Sequence, residues 1–189
     1  MSDTVLTDTE LIREFVNTKD ILDGKEALSS PAELDRWLEE AGLRRDAVGA
    51  SAGDFKQALQ LREALRQILL ANTGVELDTR EHFDVLDRVA RRARIELCFE
   101  RCAGELSPVA SGAPAALGRL VIAVHRAMAD GSWGRLKACR ASDCEWAFID
   151  NARNQSRAWC SMSSCGNREK ARHFRERQRV SRDASSSSR

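Results

Sequence analysis

At 189 residues and 21.0 kDa the chain has room for one ordinary domain with a small appendage, and two large domains are excluded. A content of 42% hydrophobic and 31% charged residues supports a buried core, so the chain is neither wholly disordered nor an acidic tail protein, and no apolar run approaches the roughly 18 to 20 residues of a membrane span. The net charge of +1 hides an asymmetry: residues 135–189 carry 13 Lys and Arg against 6 Asp and Glu, a net of +7, whereas the first 134 residues carry 17 against 23, a net of −6. Such a division predicts an acidic globular part and a basic module that seeks an anionic partner.

The opening MSDTVLTDTE is acidic and polar where a secretory signal is basic and then apolar, so a cytoplasmic location is expected. In that compartment thiols stay reduced, and six cysteines read as metal ligands or small buried hydrophobes rather than a disulfide framework.

Residues 7–17 place Leu11, Ile12, Phe15 and Val16 on one helical face. Ser30, Pro31 and Glu33 then form a capping box with proline at the first helical position, predicting a second helix that Gly42 stops. Asp54 to Asn72 carries a broad apolar face through Phe55, Leu61, Leu65 and Leu69, and Asp78 with Glu81 reads as the cap of a fourth helix through Leu86, Val89 and Ala93. The period then changes from helical to alternating over Arg94–Glu100, with a return strand expected over Glu105–Val109. Leu117, Leu120, Val121, Val124 and Met128 restore helical spacing up to Asp130-Gly131. His82, His125, Cys98 and Cys102 have no neighbours at ligand or triad spacing and receive no role, so no catalytic residues and no enzyme activity are expected.

The remaining cysteines, Cys139, Cys144, Cys160 and Cys165, form two C-x4-C loops fifteen residues apart. Two short loops of small and turn-forming residues can point four thiolates at one ion, the arrangement of a closed structural zinc site with no position open for water. Disulfides and iron–sulfur ligation are the alternatives, disfavoured by compartment and by the paired symmetry. Glu145–Asp150 alternates as a strand, and Trp146, Phe148 and Trp159 are expected to supply a miniature core. Past Cys165 a run of good helix formers puts Arg168, Arg172, Arg175 and Arg179 on one face, suited to phosphates or a groove.

Cys139-x4-Cys144-E-W-x-F-x-D, Asn151-x-Arg153-Asn154-x-Ser156-Arg157-x-Trp159-Cys160 and Cys165-Gly166-Asn167-Arg168-x-Lys170-x-Arg172 together resemble the CGNR zinc finger, named for that last tetrapeptide. Phe15-Val16-Asn17-Thr18, Ser30-Pro31 and Trp37-Leu38 are similar to the opening motif of the ABATE domain, which precedes the finger in that family of proposed stress-induced transcription regulators. The resemblance implies a bacterial regulator holding one structural zinc and binding double-stranded DNA, responsive to stress or to a small-molecule effector. A homodimer is compatible with it. The competing function is a zinc-stapled protein or RNA interaction module without sequence-specific DNA binding.

The expected fold is therefore mainly α: a helical, ABATE-like domain with one small β-hairpin over residues 1–134, a four-cysteine finger ending in a basic helix over 135–180, and a disordered tail over 181–189. Candidate DNA contacts are Arg153, Arg157, Arg168, Lys170, Arg172, Arg175 and Arg179, with Arg168 open to a role inside the finger. Asn17, Arg62 and Glu63 are candidate ligand-binding residues, Asn17 alternatively capping the first helix and Arg62 forming an ion pair. Zinc loss is expected to unfold residues 135–180 and spare the helices.

Overall fold

The structure, a computed structural model, describes residues 6–100 and 103–186, with side chains described as far as Gln178 apart from Glu100, Ala103 and His173. Five helices build the first part: α1 (Asp8–Val16), α2 (Pro31–Glu40), α3 (Ala52–Asn72), α4 (Arg80–Ala93) and α5 (Gly112–Ala129). Their starts follow from capping chemistry. Thr7 accepts from the Glu10 amide while the Glu10 carboxylate accepts from the Thr7 amide, and Ser51 with Asp54 repeats the device for α3, starting that helix slightly earlier than its apolar pattern does. At α2 the Ser30 hydroxyl accepts from the Glu33 amide, but the Glu33 carboxylate reaches Ser29 rather than Ser30. Asp78 and Glu81 do not form the expected box at α4: Thr79 occupies the cap position, and Asp78 instead accepts from the amide and guanidinium of Arg80.

The period change after α4 is a real hairpin. Strands β3 (Ile95–Glu100) and β4 (Ala103–Pro108) pair antiparallel, with Ile95 opposite Pro108, and Arg94 in the left-handed conformation (φ 50°) turns the chain out of the helix. Cys98 is an exposed free thiol there, and Cys102 lies outside the described residues. A two-residue ladder, β1 (Lys19–Asp20) with β2 (Lys25–Glu26), lies between α1 and α2 and is too short to leave an alternating signal.

One hydrophobic core unites the helices, with Ile12, Phe15, Leu34, Leu38, Leu61, Leu65, Leu69, Leu117 and Leu120 inaccessible to solvent. The α4–α5 crossing is close because Gly118 lacks a side chain: a Cβ there would lie 2.5 Å from the Cβ of Ala93. Gly118→Ala is therefore expected to destabilise the protein by about 1 to 3 kcal/mol through overpacking. Denaturant titration should show the loss, and Ala93→Gly in the same chain should recover part of it.

Leu136, Ala138 and Ala147 belong to this same core. They sit on β5 (Leu136–Ala138) and β6 (Ala147–Ile149), an antiparallel pair with Ala138 opposite Ala147, which packs on α3 and α1. The basic segment after the last cysteine is helix α6 (Asn167–Ser186), whose main contact is the π-helical turn Met162–Gly166 before it. Residues 181–186 thus continue the helix where composition suggested disorder; the strong helix formers preceding them extend the element through the serines. No helix among the described residues is long and apolar enough to cross a membrane.

Candidate metal centre and nucleic-acid interface

The β5–β6 hairpin delivers the first two cysteines. Cys139 continues β5, its amide donating to the Trp146 carbonyl at 3.0 Å, and the chain then turns so that the amides of Cys144 and Glu145 both donate to the Ala141 carbonyl. Glu145 closes the turn in the left-handed region at φ 48°, a strained setting for a residue with a side chain. Of the second pair, Cys160 lies just before the π-helical turn and Cys165 within it, where the Ser161 side chain accepts from the Ser164 amide and its carbonyl from the Gly166 amide.

All four Sγ atoms lie within 4.8 Å of one another, and Cys144 to Cys160 and Cys160 to Cys165 are each 3.7 Å apart. Four thiolates at Zn–S of about 2.3 Å on a tetrahedron have edges of about 3.8 Å, so the donor set fits one zinc in both number and size. Hydrogen bonds from the thiols of Cys144 and Cys160 hold the Cys139 thiol far below the usual range, while the same bond to Cys139 pushes Cys144 and Cys160 up. Sulfurs this close share protons until a dication takes all four as thiolates. With every donor position filled by protein, zinc here holds the fold and offers no open site for chemistry.

The shell around the sulfurs is supplied by the chain after Cys165. Asn167 donates through Nδ2 to the Ser163 carbonyl, and Arg168 donates through one terminal nitrogen to Asp143 at 2.9 Å and to the Cys165 Sγ at 3.5 Å. Arg168 thereby ties the second knuckle to the first and steadies a ligand. Of the two roles open to Arg168, these bonds are those of the one inside the finger. Glu169 is buried and accepts from Arg172 at 2.6 Å.

Beneath the two knuckles lies a buried ion pair that spacing gave no reason to single out. Lys137 on β5 is 4% exposed and Asp150 after β6 is fully buried, with Nζ 2.9 Å from Oδ2. The Asp150 carboxylate also accepts from the amides of Ala152 and Arg157, and Lys137 donates to the Gln155 and Arg157 carbonyls. Burial by itself would raise the Asp150 pKa, but Lys137 and the two amides outweigh it and hold the carboxyl below its ordinary range. A depressed folded-state pKa contributes stability above the unfolded value of about 3.9 and loses it as pH falls through the folded value, so this support should fade only in acid. Asp150→Asn is expected to cost about 2 kcal/mol at neutral pH and to flatten the acid limb of a stability-against-pH curve. An unchanged curve would count against the pair.

The residues expected to bind a ligand have structural partners instead. The Asn17 amide donates to the Ala147 carbonyl at 2.9 Å and accepts from the Ala147 amide at 2.8 Å, completing the outer edge of β6 while its backbone ends α1. Arg62 is 2% exposed and bidentate to Glu26 at 2.6 and 2.7 Å, with further bonds to Glu63 and Thr18. Glu63 bridges Arg62 to Arg66. Arg62 and Glu63 thus fasten elements together, the ion-pair reading of Arg62, while Asn17 both joins α1 to β6 and lines an open pocket with Trp146, Phe148 and Asn151.

The remaining basic candidates are solvent-facing. Arg153, Arg157, Lys170, Arg172 and Arg175 are exposed; Arg157 lies over the Phe148 ring at 5.0 Å and donates to the Cys160 carbonyl at 2.8 Å, and Arg172 keeps its bond to Glu169. Arg179 is on α6, with its side chain outside the described residues.

Against models of known families, residues 10–131 match ABATE, described as "Putative stress-induced transcription regulator", and residues 135–178 match the CGNR zinc finger. The chain belongs to the ABATE family. It joins that domain to a CGNR zinc finger whose four cysteines are the cluster built above. Among curated proteins none matches the chain. Both families are described by regulatory or zinc-finger roles, and neither description names an enzyme.

Proposed function

We propose that this ABATE-family protein is a cytoplasmic transcription regulator that binds duplex DNA through its CGNR finger, with α6 lying along the phosphates. The observation that carries the reading is the isolation of α6. A strongly basic helix leaves the zinc knuckle, makes its main contact with the turn that launches it, and presents Lys170, Arg172 and Arg175 to solvent. Among its described side chains the apolar Ala171 and Phe174 are exposed, so they add little to the fold, and a polyanion is the partner that its charge selects. The acidic helical part repels DNA and so directs binding to this end of the molecule. In this reading residues 1–134 receive a signal and residues 135–180 read DNA.

The test is anisotropy titration of labelled duplexes over a range of salt. Replacing Arg172 or Arg175 by Gln is expected to weaken binding to all duplexes alike and to lower the salt slope by about one per residue. Arg168→Gln should act differently, reducing zinc retention before it changes the slope, because Arg168 contacts a ligand sulfur. A zinc-loaded protein that ignores duplex DNA but captures acidic protein or RNA would establish the interaction-module alternative.

A further inference from the structure

The segment between the cysteine pairs is built as though its backbone matters to the protein and its side chains to something else. Asp150 accepts from the amides of Ala152 and Arg157, and Lys137 donates to the carbonyls of Gln155 and Arg157, so a buried ion pair grips both ends of the loop from beneath. Burying two charges is costly even when they are paired, and the bonds of this pair go to each other and to loop backbone rather than to the sulfurs. What the pair holds in place is the loop.

Above it, the side chains of Asn151, Arg153, Asn154, Gln155 and Ser156 are exposed and form no hydrogen bond within the described residues. Asn and Ser in a tight loop are ordinarily explained by side-chain bonds to nearby backbone that form the turn. Here that work is done by Lys137 and Asp150, and the usual explanation is missing. Gln155 sits in the left-handed region at φ 49°, where Gly or Asn is favoured, so its long amide is kept at a conformational cost.

We infer that the Asn151–Arg157 loop is the base-reading element of the finger, its free amides at Asn151, Asn154 and Gln155 recognising base edges while α6 supplies sequence-independent grip on phosphates. Asn and Gln amides match the adenine edge in the major groove, donating to N7 and accepting from the N6 amino group, so the loop favours sites containing adenine. Arg153, also without a partner among the described residues, could contact the adjacent guanine or phosphate. This rests on the DNA-binding reading above and adds the division of labour between loop and helix.

The full-length zinc protein would be used to select a preferred duplex from a random library, and affinities for that duplex and for random competitor compared. The variant N151A/N154A/Q155A is expected to keep its zinc, its affinity for random duplex and its salt slope, while its preference for the selected site falls about tenfold or more. A second arm leaves the protein intact: replacing adenines of the selected site one at a time by 7-deaza-adenine should weaken wild-type binding about tenfold at the positions read. Unchanged preference in the variant, or indifference to every 7-deaza substitution, would overturn the loop's role while leaving DNA binding standing. Failure of the wild-type protein to bind any duplex, or tighter binding to single-stranded RNA, would remove both readings.

Discussion

Stripping zinc from the full chain is expected to loosen the helical part as well as the finger. A four-thiolate site contributes on the order of 10 to 16 kcal/mol of binding free energy in small zinc peptides, and the knuckles have few buried apolar residues of their own. The finger is also not a separate body. Leu136, Ala138 and Ala147 lie in the main core, Thr73 donates to the Ala138 carbonyl, Asn72 donates to the Leu136 and Trp133 carbonyls, and Arg140 donates to the Gly74 carbonyl. If β5 and β6 detach, the end of α1 and the C-terminal half of α3 lose both apolar cover and hydrogen-bond partners. Hydrogen exchange after chelation should therefore rise over residues 136–167 and, to a lesser degree, over 15–19 and 62–74, with α4 and the β3–β4 hairpin least changed. Protection that disappears from the finger while α1 and α3 stay as before would restore the picture of two independent domains. Cys160→Ser should reproduce the chelated pattern, because one lost thiolate leaves three ligands and admits water to the fourth position.

The second large effect is expected at Arg66, which is fully buried on α3. Its guanidinium donates to the carbonyls of Val16 at 2.8 Å, Lys19 at 3.2 Å and Glu145 at 3.0 Å, and to Glu63 at 2.9 Å. One side chain thus ties the end of α1, the start of β1 and the turn behind Cys144 to the central helix. Arg66→Met would fill the space but take the donor from the buried Val16 carbonyl and the half-buried Lys19 and Glu145 carbonyls, and a loss of about 3 to 5 kcal/mol is expected by denaturant titration. The Glu145 bond adds a second readout. Because that carbonyl follows a zinc ligand and belongs to a turn strained at φ 48°, Arg66→Met should also release zinc to a competing chelator faster than wild type. Arg66→Lys is expected to recover little of either property, since a single ammonium cannot reach acceptors arranged around a planar fork. A variant that loses stability but retains zinc as tightly as wild type would separate the helical core from the finger and refute the coupling.

Much of the architecture was legible because it depends on local chemistry. The five helices of the first part follow from apolar spacing, the second also from its cap at Ser30, and the hairpin at 95–108 follows from a change of period; the caps at Thr7 and Ser51 came only with the structure. The misreadings have equally local causes. Asp78 and Glu81 have the spacing of a capping box, yet the carboxylate of Asp78 is taken by Arg80 two residues away, a competition that spacing does not reveal. The β1–β2 ladder is two residues long on each side and has no period to detect.

By itself the sequence determined the helical class, the position of the basic module and the four zinc ligands, because periodicity, charge and cysteine spacing each act over a few residues and survive without tertiary information. Only the tertiary structure decided what Asn17, Arg62, Arg66, Lys137, Asp150 and Arg168 do, since each meets partners on other elements or in other loops. Asn17 bonds to Ala147, 130 positions away, and Arg66 to Glu145, 79 positions away. A buried polar side chain must find hydrogen-bond partners, but that requirement does not specify where along the chain they lie. The packing of β5 and β6 onto α1 and α3 chose those partners, and in doing so joined the zinc finger and the helical domain into one core.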